Sequence, residues 1–147
     1  MTAEVVVYGS SPAALTAAIE AQRHGKSAVI VCPETRIGGL TTDGLDSVAK
    51  DSMWTFEPSA ALAILERWER QNRLKIFRGE FLDRKSGVVK DGARIGAIKT
   101  LSGKVFRGSM FVDATYEGDL MAAAGVSYMV GREANAVYGE TIRGTIR

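Results

Sequence analysis

The sequence predicts an α/β fold: a parallel sheet in which a three-stranded antiparallel β-meander takes the place of one crossover helix. Three observations carry this prediction. Two apolar, β-rich runs, Val5–Tyr8 and Ala28–Cys32, flank a stretch of helix formers. Two glycine turns, Asp91-Gly92 and Ser102-Gly103, separate three further β-rich runs. A last apolar run, residues 110–114, then follows the meander.

The elements follow in order. Val5–Tyr8 is apolar throughout, as a strand covered on both faces should be. Pro12 stands where a first helical turn tolerates it, because that N–H has no intrahelical partner anyway. Residues 13–24 form a helix with Leu15 and Ile19 on one face, and Ala14, Ala17, Ala18 and Ala21 offer small surfaces for close packing on a sheet. Gly25 ends it. With Ala28–Cys32 as the second strand, residues 4–32 make a βαβ unit whose crossover is right-handed.

Residues 33–56 lack periodicity and read as a loop, and loops of that length are usually functional or disordered. Residues 57–78 hold a helix from Pro58 to about Asn72, with Leu62, Leu65 and Trp68 as its apolar stripe, and a short strand at 74–77. The meander occupies 81–107, with strands at 88–90, 94–101 and 104–106. Residues 109–125 carry the final strand and a short helix at 119–124, capped by Asp119 and stopped by Gly125. Residues 126–147 form a tail. The whole of 1–147 is expected to be a single domain.

Bulk properties exclude several classes of function. A hydrophobic content of 46% excludes disorder. A net charge of +2 gives no reason to expect nucleic acid or an anionic membrane as partner. No apolar run approaches the roughly 20 residues of a membrane helix. The Met1-Thr2-Ala3-Glu4 start has no basic region and the apolar run after it is short, so no signal peptide is read and the cytoplasm is the expected location. The lone cysteine forms no internal disulfide, and with one histidine no metal site is expected. His24, in the last turn of its helix, reads as a surface residue favoured by the helix dipole and not as a catalytic base.

The first turn, Gly9-Ser10-Ser11-Pro12-Ala13-Ala14, joins a strand to a helix N-terminus. Free backbone N–H groups there make a diphosphate site. By itself the motif is weak, because Ser11 and Ala14 stand where the second and third glycines of a dinucleotide fingerprint are expected. A serine hydroxyl can donate to a phosphate, so Ser11 reads as a substitute. A Rossmann-like unit with no ligand is the competing reading.

The meander, with three ordered motifs, resembles the FAD-dependent oxidoreductases of the glutathione-reductase-like superfamily. Residues 5–14 are similar to that family's "VVVYGGTPAG" opening. Arg36-Ile37-Gly38-Gly39-Leu40-Thr41-Thr42-Asp43-Gly44 is similar to its "R-x-GG-x-T-x-G" stretch. Phe111-Val112-Asp113-Ala114-Thr115-Tyr116-Glu117-Gly118-Asp119-Leu120 is similar to its "FIDATGDxDL" segment. The likeness extends to Gly131-Arg132-Glu133-Ala134-Asn135. It implies a Rossmann-like FAD-binding fold. It also implies FAD contacts at Gly9, Ser10, Ser11, Pro12, Ala13 and Ala14, then at Cys32, Pro33, Glu34, Arg36, Gly38, Gly39, Thr41 and Thr42. A last group of contacts is implied at Ala114, Thr115, Tyr116 and Asp119. No catalytic residue is assigned by it.

Departures from the family pattern shape the expected function. Cys32 occupies the register of a glutamate that accepts the ribose hydroxyls, and a thiol is a poor acceptor. Losing that charge-assisted bond costs on the order of 1.5–3 kcal/mol, a tenfold to hundredfold loss of affinity. Glu34, two residues on, is an alternative acceptor. Cys32 itself is expected to lie near the ribose, as a small inert group without redox duty. Tyr116 replaces a glycine and is expected to pack, Glu117 to be solvated or near the cofactor, and Trp54 and Trp68 to be core. Arg132 reads equally as a phosphate partner or a surface charge.

The family's substrate domain and late Gly-Asp motif have no counterpart in these residues. The expected function is therefore the FAD-binding domain of a flavin-dependent oxidoreductase, truncated before its substrate domain. The alternatives are a non-catalytic Rossmann-like binding module and a subunit completed by another chain or a second copy. The resemblance disfavours NAD(H) binding, because in the family the meander and a loop like that of Gly38 and Gly39 both accompany FAD.

Overall fold

The computed structural model describes residues 1–42, 57–131 and 135–139. The chain runs β1 (Val5–Tyr8), α1 (Pro12–Arg23), β2 (Ala28–Cys32), a 3-10 turn (Gly39–Thr41), α2 (Pro58–Gln71) and β3 (Lys75–Arg78). The meander follows as β4 (Val88–Asp91), β5 (Arg94–Lys99) and β6 (Val105–Arg107), and then come β7 (Met110–Asp113), α3 (Asp119–Ala123) and α4 (Asn135–Tyr138). The fold is α/β and Rossmann-like: a four-stranded parallel sheet in the order β3-β2-β1-β7, with a separate antiparallel sheet β4-β5-β6.

Side-chain alternation along the strands builds two cores. Val7, Ile30 and Cys32 point to one face, where Ala14, Leu15 and Ala18 of α1 and Leu65 of α2 cover them. Val6, Tyr8, Val29 and Val31 point to the other, against Ile98 and Phe106 of the meander and Leu120 of α3. The meander thus takes the layer that a crossover helix fills in a doubly wound sheet. The alanines let α1 lie close on the strands, with Ala14 fully buried.

Several expectations shift. β3 begins one residue later than read, at Lys75. The 33–56 loop contains the 3-10 turn, and the tail contains α4. Trp68 is not core: it is 39% exposed, because Leu65 is the buried contact of α2 and the indole lies beyond it. Asp119 does not cap α3. Thr115 Oγ1 accepts the Gly118 and Asp119 N–H groups at 2.9 and 3.1 Å, and Asp113 Oδ2 accepts Met121 N–H at 2.8 Å. The Asp119 carboxylate turns instead to Arg84, at 3.0 Å. His24 is exposed and paired with Glu20. Asp43, Gly44, Trp54, Arg132, Glu133, Ala134 and residues 140–147 lie outside the described residues.

Candidate functional site

In the sheet order, β1 has β2 on one side and β7 on the other, so the chain reverses direction of travel at β1. Ligands of open α/β sheets sit at such a point, beyond the carboxyl ends of the strands. A cavity of about 390 Å³ lies there. The β1 turn supplies Tyr8 and Ser10, the β2 end supplies Pro33 and Glu34, and the 3-10 turn supplies Gly39 and Leu40. Thr115, Tyr116, Glu117 and Asp119 come from the β7 end, and Phe81 and Arg84 from the start of the meander. A second cavity, of about 480 Å³, shares Arg84, Glu117 and Asp119 with the first.

The β1 turn is built around Gly9. Its φ is +141°, and a Cβ there would lie 2.4 Å from the Ala114 carbonyl carbon and oxygen. Only glycine lets β1 and β7 run this close at their carboxyl ends. Ser11 then fixes the turn: its hydroxyl donates to the Ala114 carbonyl at 2.6 Å, and the residue is buried. That hydroxyl donates to the protein's own backbone, whereas the sequence reading has it donate to a phosphate. Among the described residues no side chain caps α1; in its first turn Pro12 has no N–H and Ala14 N–H donates to the Ser11 carbonyl at 3.0 Å. Pro12 and Ala13 sit in that first turn, whereas Ala14 is packed on the sheet.

The β2 end is pinned by its backbone. Glu80 N–H donates to the Cys32 carbonyl at 3.0 Å, and Gly38 N–H to the Ser10 carbonyl at 2.6 Å. Cys32 is fully buried, and its thiol donates to the Glu34 carbonyl at 3.2 Å. Burial pushes that thiol up to about 11. The sulfur faces the α1 layer while Glu34 is exposed and lines the cavity. Cys32 is therefore expected to resist a thiol reagent such as dithionitrobenzoate at pH 8 in the native chain and to react fully in denaturant. Rapid native labelling would contradict the buried geometry.

Tyr116 does not pack in a core. It is 53% exposed, its hydroxyl accepts Leu40 N–H at 3.2 Å, and its ring covers Gly39, whose Cβ would meet it at 2.8 Å. Gly38 has φ +128° and lies against the Thr42 side chain, which donates to the Gly39 carbonyl at 3.2 Å. Thr42 is buried and holds the turn, Thr41 is half-buried, and Arg36 is exposed. Of the contacts expected from the sequence, Ser10, Pro33, Glu34, Gly39, Thr115, Tyr116 and Asp119 line the cavity, as does Glu117, and the other expected contacts are not among the residues that line it. Sequence reasoning missed Tyr8, Leu40, Phe81 and Arg84. Tyr8 was legible only as a strand residue, although its hydroxyl accepts Leu82 N–H at 3.1 Å and so joins β1 to the meander. Among the described residues, no group of three or more His, Cys, Asp or Glu side chains is arranged to hold a metal. No helix among them is long and apolar enough to cross a membrane.

Comparison with known proteins places this geometry. No curated protein matches the chain. Solved structures share its fold at low identity. Bacillithiol disulfide reductase from Staphylococcus aureus is 18% identical with a TM-score of 0.63, over 78% of this chain and 38% of its own. A flavin-containing monooxygenase from Stenotrophomonas maltophilia is 21% identical with a TM-score of 0.61, over 78% and 38%. Thioredoxin reductase from T. acidophilum is 22% identical with a TM-score of 0.60, over 78% and 35%. The matched region is thus little more than a third of those proteins. The family described as FAD dependent oxidoreductase matches residues 4–54 and 44–146. With nearly all of its length matched, the chain belongs to the FAD dependent oxidoreductase family.

Proposed function

We propose that this chain holds FAD across the carboxyl ends of β1, β2 and β7 and serves as the cofactor-binding part of a flavin-dependent oxidoreductase. The observation that carries this reading is the cavity at the reversal of strand order, beside a helix N-terminus that no side chain caps among the described residues. The residues present fit a dinucleotide. Gly9 holds the turn where a Cβ would strike Ala114, Pro12 sets the first helical turn, and Ser10 and Ala13 offer backbone N–H groups to a diphosphate. Glu34 is the ribose acceptor in place of Cys32, because it is exposed to the cavity while the thiol is not. Gly38, Gly39, Thr41 and Thr42 shape the loop beneath it, together with Arg36, and Ala114, Thr115, Tyr116 and Asp119 close the β7 side. Bound FAD supplies the hydride chemistry, and the protein supplies binding and orientation.

The same proposal extends to the rest of the molecule. Residues 1–147 act as one cofactor-binding domain, in the cytoplasm, where a lone cysteine is at home. A second copy or another chain completes it. Support comes from β7, an edge of the four-stranded sheet, and from Val126, Tyr128, Met129 and Val130, each more than half exposed.

The test is direct. Titrating the purified chain into FAD should quench flavin fluorescence and shift the visible bands, with saturation at tens of micromolar protein or below. Absence of both effects over that range overturns the reading and leaves the non-catalytic module in its place.

A further inference from the structure

The cavity has a charge problem that the fold reading does not solve. Among the described residues, its lining carries three carboxylates, Glu34, Glu117 and Asp119, against one cation, Arg84. A diphosphate entering it adds more negative charge. The partial positive charge of the α1 N-terminus offsets only part of this. Arg84 stands on the meander side, opposite the β7 end, and its Nη1 lies 3.0 Å from Asp119 Oδ1. A guanidinium carries five donors in a fixed fork, so one carboxylate contact leaves others available. Arg84 also borders the second cavity, which shares Glu117 and Asp119, so the ion pair stands between the two spaces.

We propose that Arg84 is the counter-charge for the cofactor's diphosphate: Asp119 holds one edge of its guanidinium while another edge meets phosphate oxygens. This rests on the FAD reading above and adds to it a residue outside the three sequence motifs. It also gives the meander a part in binding, since a side chain on its leading segment faces the turn that follows β7. Both partners remain partly solvated, with side chains 69% and 26% exposed, so the pair contributes little to folding and the guanidinium is free to engage a ligand.

The experiment is FAD titration of the wild-type chain, Arg84→Gln and Arg84→Lys at several ionic strengths, with a thermal melt of each. The glutamine variant is expected to melt near the wild type. Its FAD affinity should fall by about tenfold to a hundredfold, the range for a lost charge-assisted hydrogen bond. Its affinity should also depend less on salt, because the screened attraction is gone. Lysine should recover part of the affinity and most of the salt dependence. FAD binding by Arg84→Gln within about threefold of wild type overturns the role of Arg84 alone. So does a loss of affinity with the wild-type salt dependence intact, which marks a structural effect. No binding by the wild-type chain overturns the FAD reading and this inference together.

Discussion

Gly9→Ala should destabilise the chain more than any other glycine-to-alanine change near the cavity and should abolish flavin quenching. Two costs fall on one residue. A φ of +141° is a region that L side chains rarely adopt, which costs about 1–3 kcal/mol. The added Cβ would also sit 2.4 Å from Ala114 carbonyl atoms and 2.9 Å from Thr115 N. These are backbone atoms, so no side chain can swing away, and overpacking costs a further 1–3 kcal/mol or so. Relief requires β1 and β7 to part, which would break the 2.7 Å bond from Ala114 N–H to the Tyr8 carbonyl and the Ser11 contact. Together these take a large share of the roughly 5–15 kcal/mol that holds a typical domain. Gly25→Ala is the control: its φ is +71°, but nothing lies within 4 Å of its Cβ position. It should therefore show only the conformational cost. Urea midpoints for both variants check the contrast, and equal midpoints would mean that the β1–β7 approach is not tight.

The contrast between these glycines explains what was legible in the sequence. Local rules placed β1, α1 and β2 almost to the residue, because apolar runs, Pro12 and Gly25 act within a few positions of the chain. The meander was legible for the same reason: Gly92 and Gly103 take positive φ in its two turns. What local rules could not reach was the direction in which a finished element faces. Phe81 and Arg84 enter the cavity only because Leu82 is tied to Tyr8 and pairs with Thr100, contacts far apart in sequence. Cys32 was read as an inert group near the ribose, yet its register alone did not show that the sulfur is buried toward the α1 layer while Glu34 takes the cavity side. Trp68 misled because a helical stripe marks a face and not how far the covering layer extends. Asp119 read as a cap by position, whereas Thr115 and Asp113 took that work and left its carboxylate for Arg84.

Glu80→Ala is the second large effect, and it comes from a residue that no motif marks. Its side chain is 3% exposed beside the end of β2. The carboxylate accepts Thr100 and Ser102 hydroxyls at 2.6 Å each and the Lys104 ammonium. Its own N–H holds the Cys32 carbonyl, so it ties the β5–β6 turn to the cavity wall. Breaking a buried ion pair costs about 3–5 kcal/mol. Lys104 is half exposed and can rehydrate, so the low end, about 3 kcal/mol, is expected for Glu80→Ala. Lys104→Ala strands the 3%-exposed carboxylate with only two hydroxyl donors, so it should cost at least as much at neutral pH and move the carboxyl upward. The pH dependence has a definite sign. Burial alone would raise the Glu80 carboxyl, but the hydrogen bonds from Lys104, Ser102 and Thr100 outweigh it and hold the group below its ordinary 4.5. The native state therefore binds that proton less readily than the unfolded chain. Its stabilisation is complete above about pH 4.5 and is lost as pH falls through the lower native value. Denaturation of Glu80→Gln between pH 3 and pH 7 should show a flatter acid limb than the wild type, with Glu4 and Asp83, also held low, supplying the remaining slope. An unchanged acid limb would mean that the carboxylate is not the acceptor of this network.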